Sequence, residues 1–212
     1  MDYETYNDAL LHEKPLKDMD IPEGVLFLDI GCGDGRLVNE LCRKGVAAVG
    51  IDYAPWTAAR NIIRADAHHL PFKNNTFHYV YSSLVLGHIK DEEKAMSEIH
   101  RVSMDGCKIL IIHVSKSPLN IKVNVWKGLG RPLQHYGIYR QYSPDKAKKV
   151  LETNGFTVSR IYTTNFAPPM LNFLPRRIRD GVYRFLFNAD IWLSRAFPSG
   201  GKFLVAIAVK GA

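Results

Sequence analysis

Cysteine is scarce in this chain. Only Cys32, Cys42 and Cys107 occur among 212 residues, far apart and without paired spacing. That excludes a disulfide framework and gives a zinc module no support. Long apolar runs are also missing, and none approaches the roughly 20 residues needed to span a bilayer. The opening Met1-Asp2-Tyr3-Glu4-Thr5 is acidic and polar, the wrong chemistry for a secretory leader. A cytoplasmic location is the resulting expectation. Internal repeats, low-complexity tracts and a clear linker are absent.

What is present suits one globular domain. Hydrophobic residues make up 46% and charged residues 23% of a 24.0 kDa chain. That composition argues against disorder and allows a sizeable core. A formal charge of +7 suggests an acidic partner: nucleic acid, anionic lipid or a phosphorylated small molecule. The charge is unevenly spread. Through Leu110 there are 12 basic and 17 acidic side chains; from Ile111 onward there are 16 basic and 4 acidic.

Strand-like and helix-like segments alternate. Short apolar or alternating runs predict strands at Val25–Ile30, Val46–Ile51, Asn61–Ala65, Phe77–Ser83, Lys108–Val114, Phe156–Tyr162 and Lys202–Val209. Helical spacing predicts helices at Arg36–Lys44 and Asp91–Val102, and from Ser143-Pro144-Asp145 to Asn154-Gly155. The expected fold is α/β: a Rossmann-like, seven-stranded, mostly parallel sheet with helices on both faces. Its last strand should be antiparallel, with a helical insertion between strands six and seven. Residues 1–212 form one domain in this reading, with excursions at 115–142 and 165–200 on the substrate side.

Leu28-Asp29-Ile30-Gly31-Cys32-Gly33-Asp34-Gly35 is the most informative stretch. It ends a strand and opens a helix, where glycines let the backbone turn sharply and approach a ligand. Cys32 reads as a small residue tolerated between glycines. Asp52 closes the second strand, where an acid can accept from both ribose hydroxyls. Asp66 closes the third, where a carboxylate can accept from an adenine amino group. A nicotinamide loop would place its third glycine at position 36, which is arginine here.

Taken together, these motifs resemble the class I S-adenosylmethionine-dependent methyltransferases, of the small-molecule type. The glycine loop, Ile51-Asp52, Ala65-Asp66-Ala67-His68-His69-Leu70-Pro71-Phe72 and Glu98-Ile99-His100-Arg101-Val102 with Asp105-Gly106 match in order. The resemblance covers residues 1–162 and the last strand. It implies S-adenosylmethionine as cofactor, with S-adenosylhomocysteine as product. It places Asp29, Gly31 and Gly33 around the methionine part and Asp52 at the ribose. Asp66 and Ala67 would read adenine, Tyr53 would cover one adenine face, and Ser82 would lie near the sulfonium. His78 stands where the family usually has an acid, and only 13 residues separate Asp52 from Asp66, so the helix between them must be short.

Methyl transfer from a sulfonium is an in-line displacement, so the protein mainly aligns the reactants. A hydroxyl acceptor would also need a base. His88, after the fourth strand, and His135, in the excursion after the fifth, are the candidates. Capping or packing of a helix competes with the first role, and a surface-loop pair with the second. His68 and His69 flank the adenine loop, and no metal site is expected. An Asn/Asp-Pro-Pro-aromatic signature is missing after the fourth strand, which disfavours base amino-group methylation as the family does it.

Topology requires the segment 165–200 to leave and re-enter the ligand-binding edge of the sheet. Ile178, Val182, Phe185, Leu186, Ala189 and Leu193 recur there at helical spacing, with Asp180, Arg184, Asn188 and Arg195 largely opposite. Two readings stay open: a helix packed on the sheet edge, or a lid for a lipophilic acceptor. The expected acceptor is a small or lipid-like molecule. RNA methylation and cofactor binding without catalysis remain as alternatives. Peripheral contact with an anionic membrane or RNA through the basic half stays open too, and no obligate protein partner is evident.

Overall fold

A computed structural model describes residues 9–55, 59–120, 140–167 and 175–211. Seven strands form one sheet: β1 (Leu26–Ile30), β2 (Ala47–Asp52), β3 (Ile62–Arg64), β4 (Phe77–Ser83), β5 (Ser103–Val114), β6 (Phe156–Thr164) and β7 (Phe203–Lys210). Their spatial order is β3-β2-β1-β4-β5-β7-β6. The first five are parallel, and β7 runs antiparallel to both β5 and β6. Five α-helices are described: α1 (Lys14–Met19), α2 (Arg36–Arg43), α3 (Glu92–Val102), α4 (Pro144–Thr153) and α5 (Arg176–Ala196). The expected sheet, with its antiparallel last strand and helical insertion, is the one observed.

Local chemistry explains the boundaries. The Asp91 side chain accepts from Lys94 N at 3.0 Å and caps α3, whose first turn carries Glu92 and Glu93. Ser143 caps α4 in the same way, with Pro144 in its first turn. Alternation along the strands feeds two cores. Leu28, Ile30, Val80, Ile109 and Ile111 face α3 and α4. Phe27, Tyr79, Tyr81, Leu110 and Ile112 face α2 and the N-terminal segment.

That segment is an element absent from the sequence-based expectation. A five-residue π-helical turn (Ala9–Glu13) leads into α1, and Leu10, Leu11 and Met19 are buried. Its position depends on the insertion. Thr164 and Val114 both pair with Phe203, so the chain does leave and re-enter the sheet at one edge. There α5 lays Tyr183, Val182, Leu186 and Phe187 against Leu10 and Ala167. Asp190, fully buried, accepts from Lys14 Nζ at 3.2 Å, Thr164 Oγ1 at 2.8 Å and Asn165 N at 3.1 Å.

The facing of α5 differs from the periodic stripe expected for it. Ile178 and Phe185 belong to that stripe, yet they are 57% and 70% exposed. Val182, Leu186, Ala189 and Leu193 of the stripe are part-buried, while the two fully buried positions, Tyr183 and Asp190, lie off it, Asp190 held by Lys14.

Asp190→Ala would leave Lys14, Thr164 and Asn165 without their shared acceptor. Losing one partner of a buried pair costs about 3–5 kcal/mol. Thermal unfolding should report that loss, and arginine-specific proteolysis should cut α5 faster. Asp190→Asn should recover part of both. Wild-type values in the alanine variant would refute the role given to this carboxylate.

Candidate functional site

The parallel strands end together, and the loops leaving them enclose two adjoining cavities. Gly31 sits at the turn after β1 with φ +77°, a left-handed conformation that suits glycine. An added Cβ there would meet Val85 Cγ2 at 2.1 Å. Gly31 N and Cys32 N both donate to Ile51 O, at 2.8 and 3.0 Å. The loop after β1 is thereby bonded to the end of β2 and pressed against the loop after β4.

The first cavity, of about 600 Å³, lies above the ends of β1 to β4. Gly33, Asp52, Tyr53, Asp66, Ala67 and His88 are among its lining residues. Asp52 accepts from Gly33 N at 3.0 Å and Ala54 N at 2.9 Å, which fixes its carboxylate at the strand end. Asp66 Oδ1 accepts from His68 N at 2.9 Å and lies 2.6 Å from His68 Nδ1. His68 Nε2 accepts from Asp91 N at 3.3 Å, so the proton of a neutral His68 belongs on Nδ1. These bonds hold the Asp66 carboxyl below the usual carboxylate range, the backbone bond first. Tyr53 is 71% exposed at the rim.

The second cavity, of about 880 Å³, lies between the N-terminal segment and α2. It shares Gly31, Cys32, Asp34 and Leu84 with the first, so the two meet at the glycine loop. Asp29, Tyr81 and Ser83 form its inner end. His12 Nδ1 lies 2.7 Å from Tyr81 Oη. Leu84, at the junction, has φ +60°, a strained conformation for a bulky residue. Burial holds the Asp29 carboxyl far above its ordinary range, at about 7, and the nearby Asp52 and Asp34 charges add to the shift.

Of the residues singled out from sequence, Asp29, Gly31, Gly33, Asp52, Tyr53, Asp66, Ala67 and His88 all line one or both cavities. Ser82 lines neither. Strand alternation turns it into the sheet, where its Oγ is buried with no partner among the described residues, and Ser83 reaches the cavity instead. His88 stands with the Asp66 loop rather than beside Asp29 and Tyr81. His135 lies outside the described residues. The pair His12 and Tyr81 was not singled out. Tyr81 reads as an ordinary alternating strand residue, and only the fold brings His12 to it.

The Glu98 and Arg101 motif has a positioning role. Glu98 Oε2 accepts from Leu70 N at 2.7 Å. Arg101 donates to both Glu98 oxygens, to Leu70 O at 2.9 Å and to Phe72 O at 2.8 Å. Together they tie the loop that begins at Asp66 and Ala67 to α3.

The carboxylates of this site suit a cation-bearing nucleoside better than a pyrophosphate. Asp34 Oδ1 accepts from Arg36 N at 3.0 Å, so a carboxylate already occupies the start of α2 where a phosphate would bind. A Cβ on Gly33, at φ +54°, would meet nothing within 4 Å, which leaves the loop open to a close-lying ligand. S-adenosylmethionine fits this set: Asp52 for the ribose, Asp66 and Ala67 for adenine, Asp29 for the cationic end. Among the described residues no His/Cys/Asp/Glu group could hold a metal ion.

Sheet order and site together define a Rossmann-like methyltransferase fold. Residues 28–111 match the methyltransferase-domain family model. A Methanocaldococcus jannaschii protein of uncharacterised activity is 27% identical over 97% of this chain and 88% of its own length. Demethylmenaquinone methyltransferase of Thermobifida fusca is 27% identical over 59% of this chain, which spans 58% of that enzyme. A Haloferax volcanii complex of a methyltransferase with its Trm112 activator contains a chain of similar fold. Its TM-score is 0.70 at 17% identity, covering 99% of this chain and 91% of that one. Residues 28–111 therefore carry a methyltransferase domain of the class I S-adenosylmethionine-dependent type, with S-adenosylmethionine as the cofactor.

Two outcomes follow. Between about pH 4 and 7 the folded state keeps a proton on Asp29 that the unfolded chain has lost, so this group lowers apo stability as pH rises through that window. A cationic ligand favours the ionised form, so cofactor affinity should rise as pH approaches 7, by up to about tenfold per unit. Titration calorimetry near pH 6 in buffers of different ionisation enthalpy should show proton release, lost in Asp29→Asn. Buffer-independent heats would refute this. Separately, Arg101→Ala should lower stability by roughly 2–3 kcal/mol and weaken cofactor binding, read by thermal unfolding and calorimetry. Unchanged affinity would mean that the clamp does not position the Asp66 loop.

Proposed function

We propose that the chain transfers the cofactor's methyl group to a small, largely apolar acceptor held in the cavity between the N-terminal segment and α2. One observation carries this reading: that cavity meets the nucleoside cavity at Gly31 and Leu84, the end where Asp29 and Tyr81 stand. Bound S-adenosylmethionine supplies an electrophilic methyl on a sulfonium. The protein's own contribution is to hold the two ligands in line and to exclude water.

The lining suits an acceptor with an apolar body and a polar reacting end. Leu16, Ile21, Leu37, Leu41 and Leu84 supply apolar surface, while Glu13, Lys17, Arg36, Glu40 and Lys44 add charges of both signs. A continuous basic track, as RNA would need, is not what lines it. The similarity to demethylmenaquinone methyltransferase supports a lipid-like acceptor. In this reading His12 takes the acceptor's proton through Tyr81, or directly, and His88 serves the nucleoside side. Asp52 accepts from the ribose hydroxyls and Asp66 from adenine. The lid role for α5 is not adopted, because no α5 residue lines either cavity.

The test is release of S-adenosylhomocysteine against a panel of quinols, phenols, sterols and small amines, with bulk tRNA as a separate arm. A small apolar acceptor should turn over. Tyr81→Phe should then lower kcat by about 10²-fold or more with little change in cofactor affinity, the usual scale of general acid–base help. His88→Ala should act mainly on cofactor binding. Turnover of tRNA alone, or tight cofactor binding without any product, would overturn the proposal.

A further inference from the structure

The inner face of α5 is accounted for by Leu10, Lys14 and Ala167, but its outer face is not. With 3.6 residues per turn, Ile178, Phe185 and Trp192 fall in one row along that face. Phe185 is 70% and Trp192 66% exposed, and Phe197 continues the apolar surface just past the helix end. Arg177, Arg184 and Arg195 form the adjoining row, all exposed. The two acids of the helix point elsewhere: Asp190 is buried on Lys14, and part-buried Asp180 lies 3.9 Å from Arg176. So the outward arc joins a row of large apolar side chains to a row of arginines, with no exposed carboxylate between them.

We propose that this face docks on an anionic phospholipid bilayer. Aromatic and branched side chains enter the acyl boundary, and the arginines meet lipid phosphates while their stems follow the apolar row. Charge complementarity selects this occupant. A second copy of the chain, packed antiparallel on the same patch about a two-fold axis, would bring arginine against arginine. No helix among the described residues is long and apolar enough to cross a membrane, so the helix lies on the surface. Docking goes beyond the methyl-transfer reading and does not depend on it.

Flotation with vesicles tests this without any activity assay. One set is phosphatidylcholine alone; the other contains phosphatidylglycerol at about one third. Wild-type protein should float with the anionic vesicles and much less with the neutral ones, and added salt should weaken binding. Phe185→Ser with Trp192→Ser should reduce binding at least about tenfold, because two large apolar side chains no longer enter the interface. Arg177→Glu with Arg184→Glu should do the same. These positions are exposed, so thermal unfolding should stay near wild type. No binding to anionic vesicles at low salt, or equal binding by the Ser variant, overturns the proposal. So does a result in which the same substitutions abolish tRNA binding or self-association while vesicles are ignored.

Discussion

Gly31 joins three strand ends at one point. Its N–H and that of Cys32 share the Ile51 carbonyl, which holds the turn after β1 to the end of β2. Its missing side chain lets Val85 close in from the loop after β4. Both cavities open from that contact. Any side chain at Gly31 would force the β4 loop outward, and with it Leu84, one of the residues that both cavities share. The left-handed backbone at Leu84 is the strain that this close approach entails.

The carboxylates around that point belong to one electrostatic design. Asp29, Asp34 and Asp52 crowd the loop in a mostly acidic half of the chain, while basic residues gather beyond Ile111. Asp34 occupies the helix start, Asp52 is fixed by two backbone N–H groups, and Asp29 is buried, its carboxyl pushed up to about 7. Such a cluster suits a ligand that carries positive charge, as S-adenosylmethionine does. The net positive charge of the chain therefore has no bearing on the cofactor. It concerns whatever meets the other half.

Much of this was legible in the sequence. Gly31, Gly33, Asp52 and Asp66 occupy strand ends because a glycine loop and two terminal acids have few other uses. Ser143 and Asp91 announced their helices because capping is local chemistry. Features that depend on distant partners were not legible. The segment carrying His12 matters because Tyr81, 69 residues away, meets it. Asp190 of α5 is held by Lys14, 176 residues away. Periodicity offered that helix one apolar stripe and gave no sign that Tyr183 and Asp190 would be its most buried residues. Glu98 and Arg101 could be matched as a motif, but their clamp on the Asp66 loop is visible only in three dimensions.

Cys32 lines both cavities, where an alkylating cofactor would lie close to its sulfur. A thiolate there would be the strongest nucleophile in the site. Burial, with the charges of Asp29, Asp52 and Asp34 behind it, pushes the Cys32 thiol up to about 12. At any physiological pH the sulfur stays protonated and unreactive. The acids that suit a cationic ligand thus add to burial in holding this sulfur in its less nucleophilic, protonated form.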